Sequence, residues 1–169
     1  GTSFVYPPAT MSAHVAACPN HVTGRSTSFK TRGEVAQLCN FGYEMNVACL
    51  SDGERAMIPE QTAKHRELED LVLNGDFYRL VSPFESRFCA WQLVSEDKKR
   101  SAVLVACVQG NANDNGFRLK VKGLDGDALY SVEQFNITAS GKTLMNVGLP
   151  FVSSLKEHES VLLDIVKVG

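Results

Sequence analysis

Near residue 75 the spacing of apolar residues changes, from short runs separated by helical periods to a sustained period of two. No single layer of helices or strands satisfies both patterns. The chain therefore reads as an α+β fold in two parts, residues 1–75 and 76–169, a length that suits one or two domains. With 44% apolar residues and a net charge of −2, it can bury a core, and the composition is not that of a disordered chain.

In the first part, Ser3 to Tyr6 reads as a strand stopped by Pro7-Pro8, followed by a polar loop to about residue 30. Thr31 to Asn40 reads as a helix, with Val35, Leu38 and Cys39 on one face and Phe41-Gly42 closing it. Tyr43, Met45 and Val47 alternate with polar residues as in a short strand. Ser51 and Glu54 have the spacing of a capping box that opens a second helix. Pro59 predicts a break or kink in it, and Asn74-Gly75 a left-handed cap.

In the second part, strands are expected near 77–82, 88–95, 101–109, 116–122, 128–134, 143–147 and 160–168, forming an antiparallel sandwich of about seven strands. Ser101 to Val108 is apolar on both faces and should be a central strand; Phe117, Leu119 and Val121 alternate with Arg118, Lys120 and Lys122. Asn115-Gly116 and Asp125-Gly126 mark turns, Glu96 to Lys99 a charged hairpin tip, and Gly110 to Asn115 a loop.

The 17 Lys and Arg are balanced by 19 Asp and Glu, so no nucleic acid partner is expected. No apolar run approaches the roughly 20 residues of a membrane-spanning helix, and no membrane partner is expected. The chain opens Gly1-Thr2-Ser3 without a Met, which leaves an upstream leader open. Five single cysteines without a C-x-x-C pair read as reduced thiols, which points to the cytoplasm.

The densest polar cluster is His14, Cys18, Asn20, His21 and Arg25. One thiol and two imidazoles are zinc-type ligands, but the spacing fits no familiar pattern and no fourth ligand is at hand, so no metal is expected. A Cys-His nucleophile pair from the same residues lacks an orienting group. Glu44, beside Tyr43 on the expected strand, is the carboxylate that stands out most. The sequence has no phosphate-cradling glycine loop, no G-x-S-x-G and no H-E-x-x-H, and no cofactor is expected. The single Trp91 separates two roles: buried it is core, exposed beside other aromatics it is a platform for sugar, and core is favoured.

Tyr6-Pro7, Met11 to Val15, Pro19-Asn20-His21, Arg32 to Val35, Phe41 to Glu44, Gly75 to Leu80, Ser82 to Glu85, Trp91, Val94 to Asp97, Leu119 and Lys122 to Asp125 together carry a resemblance. They resemble the C-terminal part of family 36 glycoside hydrolases, the melibiase-type alpha-galactosidases. The resemblance implies that residues to about 75 are the last two β/α units of a (β/α)8 barrel and that the rest is an antiparallel β domain. Loops after barrel strands face the active site, so His14, Asn20, His21 and Glu44 would rim the sugar pocket.

The parent would be a retaining hydrolase of terminal alpha-galactosyl groups, as in melibiose and raffinose. Its nucleophilic Asp, in a Lys-Trp-Asp segment, and its acid/base Asp both fall upstream of this chain, which therefore carries no catalytic residue and is expected to be inactive alone. Ser12 stands where the family usually has Gly, Asn40 where a small residue is common, Asn46 in place of a frequent Asp and Cys18 where an aliphatic residue is usual. A quarter-barrel leaves open strand edges, so either partial disorder before residue 50 or self-association into a homo-oligomer is expected. The other reading is a non-catalytic sandwich that binds carbohydrate or mates with other subunits.

Overall fold

A computed structural model describes residues 1–111, 116–151 and 155–168. The first part is built as β/α/β/α. Strand β1 (Ser12–Ala16) and strand β2 (Asn40–Glu44) pair in parallel, with Ser12 opposite Asn40 and Ala16 opposite Glu44. Helix α1 (Phe29–Ala36) makes the crossover between them, and helix α2 (Asp52–Asn74) follows β2. Alternation along the strands sorts the side chains: Ala13, Val15, Phe41 and Tyr43 pack toward the helices in a core with Phe29, Ala36 and Leu50.

Several local expectations are corrected. Ser3 to Tyr6 is no strand: Thr2–Phe4 is a 3-10 turn, and Phe4, Val5 and Tyr6 are exposed. The first strand lies inside the presumed polar loop, where polar Ser12 and His14 on one face mask buried Val15 and half-buried Ala13 on the other. Helix α1 starts earlier, because the Ser28 hydroxyl accepts the Thr31 amide at 3.1 Å and caps it. Phe41-Gly42 does not close that helix; both residues lie in β2, which begins three residues before the expected strand, and Val47 falls in a 3-10 turn instead.

The capping box forms as expected: Glu54 N–H donates to Ser51 Oγ at 3.3 Å and Ser51 N–H to Glu54 Oε2 at 3.1 Å. Helix α2 runs through Pro59 without a break. Pro59 and Arg55 both face solvent, so water can serve the carbonyl that the missing N–H leaves free. Gly75 is extended (φ −78°, ψ 150°) rather than left-handed. A glycine fits there for another reason, since a Cβ would lie 2.5 Å from the Leu71 carbonyl oxygen.

The second part is an antiparallel β structure. Strands β3 (Asp76–Val81), β4 (Phe88–Val94), β5 (Arg100–Cys107), β6 (Phe117–Leu119), β7 (Leu129–Val132), β8 (Ile137–Ser140), β9 (Leu149–Phe151) and β10 (Ser160–Val168) make two sheets. The larger has the order β3-β4-β5-β10-β7-β8 and the smaller pairs β6 with β9. The segment expected as a strand at 143–147 is instead helix α3 (Gly141–Asn146), because the Ser140 hydroxyl accepts the Thr143 amide and caps a turn. Strands β8 and β9, on either side of it, had no period long enough to read. Asn115 and most of the Gly110 to Asn115 loop lie outside the described residues.

β5 is central, as its apolar sequence predicts. Val103 and Val105 face the small sheet and α3, in a core with Leu119, Leu144, Leu149 and Phe151. Ala102 and Leu104 face the other way, in a core with Leu68, Leu71 and Val72 of α2 and with Leu38. The sheet is thus covered on both sides, by β strands and α3 on one and by the helices of the first part on the other. The tip between β4 and β5 turns at Lys98, whose φ is 56°. Gly126 lies in a turn without a positive φ; Gly123, at +73°, carries the bend there.

The helices of the first part are themselves tightly placed. Gln61 accepts from the Tyr43 hydroxyl at 2.8 Å, donates to the Phe29 carbonyl at 3.2 Å, and its own carbonyl accepts from Gln37 at 2.9 Å. Gly33 makes room for this network, since a Cβ there would come within 2.3 Å of the Gln61 amide group. Gly33→Ala would push the Gln61 amide off its Tyr43 and Phe29 partners, and the fold should lose about 1–3 kcal/mol, the cost of buried polar groups left unpaired. A denaturation midpoint equal to that of the unsubstituted chain would contradict this packing.

Asp97 gives a pH dependence with a definite sign. The Lys99 amide and then the Ser95 hydroxyl hold its carboxyl at about 2, below the ordinary 3.8. A depressed folded value adds stability that is full above about 4 and is lost as the pH falls toward about 2. Asp97→Asn should flatten the acid limb of the stability curve in that window, and an unchanged limb would show that the carboxylate contributes nothing.

Candidate functional site

The face of the β1–β2 pair turned away from the helices carries Ser12, His14 and Ala16 on one strand and Asn40, Gly42 and Glu44 on the other. His14 lies opposite Gly42 in the register, and a Cβ there would sit 3.8 Å from the imidazole, an ordinary contact. His14 Nδ1 meets Glu44 Oε2 at 2.7 Å, and Nε2 meets Ser12 Oγ at 3.0 Å. The ring is therefore gripped at both nitrogens, and Glu44 is held at the C-terminal end of β2. This chain of Ser, His and carboxylate is a polar strip able to bind hydroxyl groups.

Asn20 and His21 lie in the loop after β1. Asn20 Oδ1 accepts from the amides of Val22 (3.1 Å) and Thr23 (3.0 Å), and its own amide donates to the Arg25 carbonyl at 2.9 Å. Asn20 thus knots the loop from within. His21 is exposed and makes no part of the His14 and Glu44 pair. Cys18 and His21 are not brought together with His14 into a ligand set, and among the described residues no group of three His, Cys, Asp or Glu could hold a metal ion.

A cleft of about 510 Å³ opens beside the C-terminal end of β1. His14, Asn20 and Arg25 line it from the loop side, Arg32 and Val35 from α1, and Trp91 from β4. His21 and Glu44 are not among its walls. Trp91 is half-buried, packed only partly against the core beneath α2.

Arg32 is the positioning residue that the motif reading left without a role. Its guanidinium donates to the Ala16 carbonyl, meets Glu54 Oε1 at 3.3 Å and lies 5.2 Å over the Phe29 ring. It ties the end of β1 to the start of both helices, and its side chain is only 11% exposed. Its place in the helix after the polar loop was the one available signal. Tyr43 also matters: burial, more than the opposing Thr62 hydrogen bond, raises its phenol above the ordinary range, so it stays a donor to Gln61. Burial likewise pushes the Cys39 and Cys89 thiols up, away from nucleophilic behaviour.

Comparison with known proteins agrees with this architecture. The Melibiase family model matches residues 1–75, and the model of the glycosyl hydrolase family 36 C-terminal domain matches residues 88–164. The chain is 42% identical over 160 residues to the bifunctional alpha-galactosidase/sucrose kinase AgaSK of Mediterraneibacter gnavus, covering 95% of this chain and 17% of that protein. It is 44% identical over 156 residues to alpha-galactosidase AgaA of Geobacillus stearothermophilus, covering 91% and 21%. The solved galactosidase domain of AgaSK superposes with a TM-score of 0.94 at 40% identity, over 99% of this chain and 23% of that one. A variant of the Geobacillus enzyme solved in complex with raffinose superposes with the same TM-score at 38% identity, again over 99% and 23%. The chain thus spans about a fifth of the length of the curated relatives it matches. Through both matched segments and these relatives, the chain belongs to glycoside hydrolase family 36.

Proposed function

We propose that this chain works as part of an alpha-galactosidase, contributing two β/α units of the catalytic barrel (residues 1–75) and the β domain (76–169) that packs on them. The observation that carries this is the parallel β1–β2 pair, which sets Ser12, His14 and Glu44 on the face opposite its helices. In a closed (β/α)8 barrel that face is the interior, and the C-terminal strand ends surround the active site.

In this reading the substrate is a terminal alpha-galactosyl group of a raffinose-type oligosaccharide, and hydrolysis proceeds with retention through a covalent galactosyl intermediate. The catalytic carboxylate pair belongs to another part of the enzyme, so this chain alone does not turn over. His14 holds Glu44, and Glu44, at the end of β2, accepts hydroxyl hydrogen bonds at the pocket rim; the Asn20 knot and His21 shape the neighbouring loop. The open edge of the strand pair supports self-association, and five unpaired thiols suit a cytoplasmic setting. Among the described residues, no helix is long and apolar enough to cross a membrane.

The test is kinetic and uses the whole enzyme. The coding region upstream should supply a Lys-Trp-Asp segment and a second Asp. In that enzyme His14→Ala and Glu44→Gln should each lower kcat/KM for raffinose about tenfold, which corresponds to about 1.4 kcal/mol of lost transition-state binding. Unchanged kinetics in both variants would remove these residues from the pocket.

A further inference from the structure

On the face of the β1–β2 pair turned away from the helices, side chains stand in rows, two residues apart along each strand. Ser12 shares the lowest row with Asn40, His14 the next with Gly42, and Glu44 the third with Ala16. At about 3.3 Å per residue Ser12 lies about 13 Å below the row of Glu44, so one ligand hydroxyl cannot meet both. Among the described residues the Ser12 hydroxyl has one partner, His14 Nε2 at 3.0 Å, and the Glu44 carboxylate is bonded through Oε2 alone, 2.7 Å from His14 Nδ1. Gly42 stands opposite the ring without a side chain to pin it, so these two hydrogen bonds set its rotation.

The acceptors decide which nitrogen carries the proton. At 2.7 Å two lone pairs would repel, so Nδ1 donates to the Glu44 carboxylate. In the neutral ring Nε2 is then an acceptor, and the Ser12 hydroxyl is the donor that satisfies it. We infer that Ser12 is a positioning residue for sugar binding. It holds His14 as the Nδ1–H tautomer, His14 anchors Glu44 through Oε2, and Oε1 is left as an acceptor for one donor hydroxyl of a galactosyl group. The inference rests on the reading that the chain works inside an alpha-galactosidase, and extends it from which residues face the pocket to the ligand chemistry they select. An acceptor held in place discriminates against a ligand with no proton to give, because the carboxylate oxygen is then left unpaired. A sugar with hydrogen or methoxyl at that position is held less well than one with hydroxyl. Without Ser12 the ring loses its lower partner and turns, and Glu44 loses the fixed direction on which this discrimination depends.

The test uses the longer protein that contains the chain, with p-nitrophenyl alpha-galactosides deoxygenated at one ring hydroxyl at a time. In the unsubstituted protein, loss of the hydroxyl that meets Glu44 should lower kcat/KM about tenfold. In Ser12→Ala that penalty should shrink to about threefold or less, and KM for the parent galactoside should rise about threefold with kcat kept, the pattern of a contact made equally in ground and transition states. Ser12→Thr keeps the hydroxyl and should restore both values. An unshrunk penalty in Ser12→Ala, or equal values for the Ala and Thr variants, overturns the inference. The tautomer is read without turnover, from 15N-imidazole shifts of histidine-labelled protein at a pH where the ring is neutral, with His14→Gln assigning one signal among the four histidines. The chain itself serves if its residues before 50 are ordered; otherwise the longer protein is labelled. His14 should show a protonated Nδ1 and a bare Nε2, and Ser12→Ala should move it toward the Nε2–H form. An Nε2–H signal in the unsubstituted protein, or identical spectra with and without the Ser12 hydroxyl, also overturns it. A longer protein that hydrolyses no galactoside yet shows the Ser12-dependent Nδ1–H signal would refute the alpha-galactosidase reading and leave the Ser12–His14–Glu44 relay standing.

Discussion

The structure depends on a strand that must be covered twice. β5 presents Val103 and Val105 to one side of its sheet and Ala102 and Leu104 to the other, all without solvent contact. Burying a side chain of this size contributes about 1.5–3 kcal/mol, so neither face can be left open. The small sheet and α3 satisfy one side; the other is satisfied by Leu68, Leu71 and Val72 of α2 together with Leu38. The β/α part is thereby fixed on the sheet by the same apolar surface that gives the sheet its order. Charge adds register to this contact: Lys64 of α2 reaches Asp164 of β10, which Arg100 of β5 meets at 3.1 Å. Glu34 of α1 accepts from the Ser160 hydroxyl at 2.6 Å. For these partly buried groups the cost of leaving water offsets much of the attraction, and their value lies in fixing where along the sheet each helix sits.

That placement reaches the polar strip through two short steps. Arg32 binds the end of β1 to the N-terminal turn of α2 through Ala16 and Glu54, and Gln61 joins β2 to α1 and α2 through Tyr43 and Phe29. The two parallel strands are therefore held from their helix side, and their other face carries Ser12, His14 and Glu44. A face made of hydrogen-bonding groups would be costly inside an apolar core. In the proposed barrel that face is turned inward, where hydrogen-bonding groups have polar neighbours.

What the sequence disclosed follows from the physics of each signal. The capping box at Ser51 and the doubly buried β5 were legible because each depends on a few neighbouring residues. Strand β1 was hidden because one of its faces carries polar Ser12 and His14, so its alternation looks like a loop. The helix α3 was taken for a strand because Leu144 is the one large buried side chain in a six-residue element, too short for either period to show. Pro59 was over-read, since a proline on a solvent face loses a bond that water replaces. His14 and Glu44 were named as separate rim residues; only the in-register strands bring them within 2.7 Å. The part played by Arg32 had no local signature, because it acts by reaching across elements distant in the chain.

The proposed division of labour, in which this chain completes a catalytic barrel and braces it with a β domain, draws its support from the family assignment and the strand geometry. The claim is tested most directly by galactose release from raffinose, measured in parallel for the chain alone and for the longer protein that contains it. The account predicts release by the longer protein and none by the chain. Galactose release by the chain itself would place a catalytic pair within these residues and contradict it.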